Sequence, residues 1–387
     1  MSVTGQSETG FFEGNERLEL FAQIGRPVRK GKQAELAVSD FERIKQGIQK
    51  KDATVKTYLN IVHSNSIGMV LIYSEWILNW KSILAKYSSN WDQTKIVEEC
   101  YRRWRSQIQS DPAFKGRIST QICEAEFQPA QYPINAAELF RAELGKGLPG
   151  IVLKVFGPSE ELYQKLIQSI DAERTSEAVD YFEAFFQEAL LAHDLLVELV
   201  ALYPTVVLEH STQEWAEKAL RESFVHCSTY EGLWQAVMSM NPEQVAAFLA
   251  DHLRGHFSGV DRKGITEVIE EEDRYRIVVG PCGSGGAMRR RALARDGKSP
   301  TPLPEASAQS LGLKGQMPGY CTHCAVNELE SVDRLGYPVL VTEFQADPNK
   351  PCGWTIYKDP EKIPQKYFDR LGAKRDPSKF KRLGAKK

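Results

Sequence analysis

Residues 265–298 read ITEVIEEEDRYRIVVGPCGSGGAMRRRALARDGK, in which apolar residues alternate with polar ones until the chain reaches a glycine turn. A period of two marks a pair of strands. Upstream the period is different. The stretch 40–87, DFERIKQGIQKKDATVKTYLNIVHSNSIGMVLIYSEWILNWKSILAKY, sets Glu and Lys on one face and Val, Ile, Leu, Tyr and Trp on the other, and 159–170 and 176–208 behave alike. Recurrence at three and four residues is the pattern of amphipathic helices. The helix over 176–208 is expected to stop near Pro204, since proline cannot donate into the helical ladder. The fold class is therefore α+β: a large helical region over 36–257, then a small α+β domain over 258–372. An N-terminal segment, 1–35, precedes them, and a basic tail, 373–387, is expected to fray. Each half of the helical region contains an apolar helix with a histidine (His63 or His193) and a helix with a tryptophan (Trp91 or Trp215). A diverged duplication would leave that order, although the spacings differ. Short strands are expected over 337–344 and 352–359. Residues 292–313, rich in Pro, Ser and Gly, read as a long loop or flap.

With 387 residues, 42% hydrophobic and 26% charged, the chain is long enough for two or three units with real cores. Its 49 Lys and Arg nearly balance 51 Asp and Glu. That balance argues against a dedicated polyanion surface, so no nucleic-acid partner is expected. The N-terminus lacks the basic and then apolar order of a secretory signal. Residues 67–80, read as the longest apolar stretch, are too short to cross a membrane and include Glu75. The expectation is a cytoplasmic protein with no membrane partner. A homo-oligomer is compatible with the sequence, which does not decide oligomeric state.

Four of the seven cysteines fall in the last third, which suits reduced thiols with a local task better than a disulfide framework. Cys321 and Cys324 form a C-x-x-C, a spacing that lets two thiolates share one zinc ion. Cys282 in GPCGSGG and Cys352 in NKPCGW add two candidates at a turn and a strand end. His323, between the paired thiols, could replace one of them. Zinc is the expected cofactor. Two other readings stay open: thiols buried as small apolar residues, and a redox pair, for which the thioredoxin-like context is missing.

The segment 319–358, GYCTHCAVNELESVDRLGYPVLVTEFQADPNKPCGWTIYK, resembles the end of a 4-vinyl reductase type domain, part of a wider group with 2-amino-thiazoline-carboxylate hydrolase-like proteins. The resemblance covers about 40 residues and rests on Cys321, Glu343 and Cys352. It implies a zinc site beside a pocket for a small organic molecule, with Glu343 near the metal. Cys324 and the preceding PCGSGG lie outside that pattern.

Around the cluster, Gly283, Ser284 and Gly285 could form an anion-binding nest of backbone N–H groups, with Arg289, Arg290 and Arg291 adding charge for a carboxylate or oxyanion. The plainer alternative is a tight hairpin turn with a solvated basic face. His193 and Asp194 interrupt an apolar helix and His256 precedes the strands, so the two histidines could meet at the junction as acid/base catalysts, or each could be a satisfied core residue. Glu188, His193, Glu198, Glu209 and His210 suggest a di-iron bundle, but the Glu-x-x-His spacing is absent.

Two classes of function follow. The first is a zinc-containing hydrolase acting on a C–N or C–S bond of a small aromatic or heterocyclic molecule, with His193, His256 and Asp194 as catalytic residues. The second is a small-molecule sensor whose purely structural zinc supports a pocket that regulates a separate partner.

Overall fold

The computed structural model describes residues 29–30, 39–87, 91–112, 114 and 150–384. Ser39 opens the first helix by accepting the Glu42 N–H through its hydroxyl, which satisfies one of the orphan donors at a helix start. The helical part runs α1 Asp40–Gln49, α2 Val55–Lys86, α3 Gln93–Ser110, α4 Gly150–Asp171, α5 Thr175–His210, α6 Gln213–Val225, α7 Ser228–Ser239 and α8 Pro242–Arg254. Helix α5 is its centre, packed against α1, α2, α3, α4 and α6. Tyr203 of α5 stacks on Trp80 of α2, and Phe182 and Phe186 of α5 pack on Phe41 of α1, all in a buried core. Burial of one such side chain stabilises by about 1.5–3 kcal/mol. Buried indoles also need a polar partner. Trp76 donates to the Ser223 hydroxyl at 2.9 Å and Trp104 to the Leu195 carbonyl at 2.9 Å, tying α2 to α6 and α3 to α5.

Helix α5 does not stop at Pro204. It continues to His210 because Val206 and Val207 beyond the proline are fully buried and reward the extra turns. The proline ring instead receives the 3-10 turn Gly319–Thr322, where a Cβ at Gly319 would lie 3.0 Å from Pro204 Cβ. Helix α5, rather than residues 67–80, is also the most apolar long element. Its length and composition would allow it to cross a membrane, but 83% of its most apolar window is buried inside the protein, as in a core helix.

The strands are β1 Arg29–Lys30, β2 Thr266–Glu270, β3 Arg274–Val279, β4 Val341–Glu343 and β5 Cys352–Tyr357, in the sheet order β1-β2-β3-β5-β4. Four pair antiparallel in the C-terminal part, and β1, from the N-terminal segment, adds a parallel edge to β2. Helix α8 packs on β2 and β3, so the helical part and the sheet share a core.

Three local expectations change. The stretch 280–291 opens helix α9, Gly285–Asp296, instead of a hairpin, so residues 292–296 are helical rather than loop. The segment after it is fastened rather than a free flap, with Leu303 buried and bonded to the Met317 carbonyl through its N–H at 3.0 Å. The tail does not fray up to residue 384: Phe380 stacks on Phe368 and Lys381 N–H donates to Leu335 O at 2.9 Å. Beyond α9 come α10, His323–Leu335, and α11, Gln365–Asp369. Glu328, fully buried on α10, accepts from the Thr342 N–H at 2.6 Å and from Arg370 at 2.7 Å. It thereby joins α10 to β4 and to the C-terminal segment.

Candidate functional site

Polar side chains from five separate parts of the chain meet where α2, α5, α8 and the turn before α10 converge. Asp194 Oδ1 lies 2.9 Å from His193 Nδ1, His193 Nε2 lies 3.1 Å from His256 Nδ1, and Tyr73 Oη lies 3.2 Å from the same His256 nitrogen. Tyr73 Oη in turn meets Tyr320 Oη at 2.8 Å. Behind Asp194, Arg262 donates to both carboxylate oxygens at 2.9 and 2.8 Å, and Arg291 donates to Asp194 at 2.6 Å and to Glu198 at 2.7 Å. The expected meeting of His193 and His256 therefore occurs.

The electrostatics follow from burial. Burial would raise the Asp194 carboxyl, but Arg262, Arg291 and His193 outweigh it and hold the group far below the usual carboxylate range. Glu198 is raised by burial, with Arg291 opposing. Burial and the neighbouring His193 depress His256 well below an ordinary histidine, and burial lowers His193 despite Asp194. Both imidazoles are thus neutral near pH 7.

His256 is placed by the turn after α8. Phe257 and Arg262 adopt left-handed φ values of 51° and 60°, uncommon for residues with side chains. The glycine turn from β3 presses directly on this segment: a Cβ at Gly283 would lie 1.7 Å from the His256 carbonyl oxygen. Gly283→Ala is accordingly expected to displace the His256 turn and to destabilise by about 1–3 kcal/mol or more. The shift in denaturant midpoint measures it, and a midpoint equal to that of the parent protein would show that the contact yields freely.

His256 and Tyr73 line a cavity that encloses about 840 Å³, including its mouth. Trp76, Phe224, Tyr230, Trp234 and Trp354 supply aromatic walls, and His252, His323 and Asn327 add polar groups. Among the described residues no Asp, Glu, Lys or Arg lines it. His323 is pushed down to about 4 by burial, against a bond to the Tyr320 carbonyl.

The thiols lie behind this wall. Cys352 pairs with Val279 in the sheet, three residues before Cys282, and a Cβ at Gly285 would lie 2.7 Å from Cys321 Sγ. Burial raises Cys324 well above an ordinary thiol, and Cys321, Cys282 and Cys352 add to the rise. Cys352 is pushed up to about 11 by burial and by Cys282. The four sulfurs are therefore within electrostatic reach of one another, although none lines the cavity. Among the described residues, no three His, Cys, Asp or Glu side chains stand in positions that could hold a metal ion. Glu343 is an exposed strand residue facing Gly353 across the sheet.

The residues expected to bind substrate lie away from the cavity lining. Gly283 and Gly285 are contact points for His256 and Cys321, and Ser284 interacts with Tyr73 and Tyr320. A solvated basic face is also excluded. Arg289 is buried and donates to the Gln345 and Ala346 carbonyls, Arg290 donates to the Pro348 carbonyl at 2.7 Å, and Arg291 serves Asp194 and Glu198. Their charge is used inside the protein because α9 turns them toward the loop after β4 and toward α5. Glu209, a candidate for a di-iron site, pairs with Arg103 instead.

Comparison with protein-family models, with curated proteins and with solved structures finds no match. The site therefore has to be read from its own residues. Tyr73, Tyr320 and Arg262 were not foreseen as members. Tyr73 sits in an apolar helical pattern like any core tyrosine, Tyr320 stands in a turn beside the cysteine pair, and Arg262 lies in a polar turn, so spacing carried no signal for them.

Proposed function

We propose that the protein is an enzyme that hydrolyses a C–N or C–S bond in a small ring-containing molecule held in this cavity, with His256 as the acid/base. The observation that carries the proposal is the continuous chain from Asp194 through His193 to His256, 2.9 and 3.1 Å per step, ending on a cavity wall. Asp194, ionised between two arginines, can only accept, so His193 Nδ1 carries the proton. His193 Nε2 then accepts from His256 Nδ1–H. His256 Nε2, which makes no hydrogen bond among the described residues, is left as the basic nitrogen of a cavity-lining ring. It can take a proton from a water that adds to the scissile carbon and return it to the departing nitrogen or sulfur, while Asp194 and His193 orient the ring and share the charge.

We propose further that Cys282, Cys321, Cys324 and Cys352 hold one zinc ion. Their chemistry fits: the buried thiols raise one another, and the Arg289 guanidinium, which lowers Cys321 and Cys352, is one charge against several thiolates, so a bound cation would supply the missing balance. Among the described residues no three such side chains stand in metal-holding positions, so binding the ion would require these side chains to rearrange. Zinc in this place would brace the turn bearing Tyr320 and His323. The cysteines' absence from the cavity lining favours a structural ion, and it also supports a second reading, a binding protein that senses a small molecule without converting it.

Metal analysis of protein purified without chelator is expected to find about one zinc per chain, and Cys352→Ser to lose it and to destabilise the sheet region. Finding no zinc ends the metal proposal. For the enzyme reading, the test is incubation with a panel of aromatic and heterocyclic amides, lactams, thioesters and thiazolines, followed by mass spectrometry of products. Cleavage of at least one is expected. A co-purified molecule returned unchanged, with no panel member cleaved, would favour the sensor.

A further inference from the structure

Away from the cavity, three aromatic side chains meet at the junction of α2, α3 and α6. Tyr87 follows α2 directly, Trp91 precedes α3, and Trp215 lies in the first turn of α6. Their ring centroids are 5.1 Å apart for Tyr87 and Trp215, 5.7 Å for Trp91 and Trp215 and 6.2 Å for Tyr87 and Trp91, and none of the three lines the cavity. The Tyr87 and Trp215 planes are inclined at 53° to each other. Trp91 stands at 78° and 84° to them and is fixed by its indole N–H, which donates to the Leu84 carbonyl at 3.1 Å. An ammonium group sits over the two inclined faces: Lys218 Nζ is 4.8 Å from each ring centroid and makes no salt bridge or hydrogen bond among the described residues. Glu222 accepts from Tyr87 Oη at 2.6 Å and from Lys86, which lies over the same tyrosine ring at 4.9 Å, at 2.8 Å. Burial would raise the Glu222 carboxyl, but those bonds and the charges of Lys86 and Lys218 hold it below the usual range. A carboxylate therefore stands within electrostatic reach of the seated ammonium.

We propose that Tyr87 and Trp215, braced by Trp91, form a second binding site, one for a quaternary ammonium group, and that Lys218 occupies it in the free protein. The site is independent of the hydrolase reading. The negative faces of aromatic rings attract cations, and here two faces hold one with no ion pair to place it. A lysine ammonium is the weaker occupant, because it is compact and strongly hydrated and gives up water to lie on a ring. Lys218 is exposed on a flexible stem, so on leaving it regains that water. A quaternary ammonium has no N–H to hydrate, spreads its charge over its methyl groups and buries them against the rings, so it loses less in binding. Glu222 adds counter-charge beside the rings. An internal brace between α2 and α6 would give the same resting geometry, but it provides no reason for an added cation to bind there when Lys218 is removed.

Nuclear magnetic resonance of the indole N–H groups of the full chain tests this, with the Trp215 signal assigned by its loss in Trp215→Phe. Tetramethylammonium chloride is the probe, and potassium chloride at equal ionic strength is the control. We expect tetramethylammonium to shift the Trp215 signal saturably, with a dissociation constant on the order of 1 mM, and potassium to leave it in place. Lys218→Ala should tighten the binding about two- to fivefold, the hold of one exposed ammonium on a ring, because it removes the internal competitor. Tyr87→Leu should weaken it about tenfold or more by removing one of the two faces. Choline and Nα-acetyl-trimethyl-lysine amide should bind as well, and the tighter of the two identifies the source of the group as a small choline-type molecule or a methylated lysine of another protein. No saturable shift in the parent protein, an equal response to potassium, or an affinity that Tyr87→Leu leaves unchanged would each overturn the proposal. An affinity that Lys218→Ala leaves unchanged or weakens would overturn it too, because Lys218 would not then occupy the binding position.

Discussion

Arg291→Met is expected to cost about 3–5 kcal/mol of folding stability, the usual penalty for removing one partner from a buried ionic group. Arg291 donates at 2.6 Å to Asp194 and at 2.7 Å to Glu198, and both carboxylates are buried. Arg262 remains for Asp194, but Glu198 loses the one cation hydrogen-bonded to it among the described residues and keeps only the weaker pull of Arg295. Burial then raises the Glu198 carboxyl further and favours its protonation. The measurement is urea unfolding of the parent and the variant. Adding Glu198→Gln to Arg291→Met should recover part of the loss, because a neutral amide costs less to bury unpaired than a carboxylate. A single variant as stable as the parent would mean that solvent reaches this cluster and that Asp194 is not anchored by it.

The second large effect concerns chemistry. On whichever panel substrate is cleaved, His256→Ala should lower turnover about 10²–10⁴-fold, the usual contribution of a positioned acid/base. His193→Ala should also lose turnover, because His256 then has neither its orienting partner nor a route for charge toward Asp194. Both variants should keep the circular dichroism and zinc content of the parent, which separates a catalytic loss from unfolding. Should either variant unfold, its histidine is structural. Should both turn over at the parent rate, the chemistry belongs to another group on the cavity wall.

Much of the architecture was legible in the chain because it depends on local periodicity. The helices over 40–49, 55–86 and 93–110 and the strands at 266–270 and 274–279 follow apolar spacing that any partner would reinforce. The failures also have local explanations. Pro204 reads as a stop because proline lacks an N–H, but a helix whose following residues are fully buried tolerates that loss. GPCGSGG reads as a turn because glycines permit one, and only the contact of Gly283 with the His256 carbonyl shows why they are needed there. Phe380 reads as part of a polar tail until Phe368 and Tyr337 are seen beside it.

At the site the division is sharper. Residue type alone made His193, Asp194, His256 and the four cysteines candidates, since each puts a titratable or metal-binding group in an apolar or strand-end context. The order in which they act was set by tertiary structure. His193 and His256 are 63 positions apart and their ring nitrogens are 3.1 Å apart, a proximity produced by the turn after α8, whose His256, Phe257 and Arg262 all meet α5. The arginine run looked like a surface for anions, and packing turned it inward to balance Asp194 and Glu198, leaving the cavity uncharged. Sequence by itself determined which segments are helix or strand and which residues could do chemistry, because those properties belong to short stretches. Only the fold decided which charges neutralise one another and which imidazole is left free, because those depend on distances between residues that no local pattern encodes.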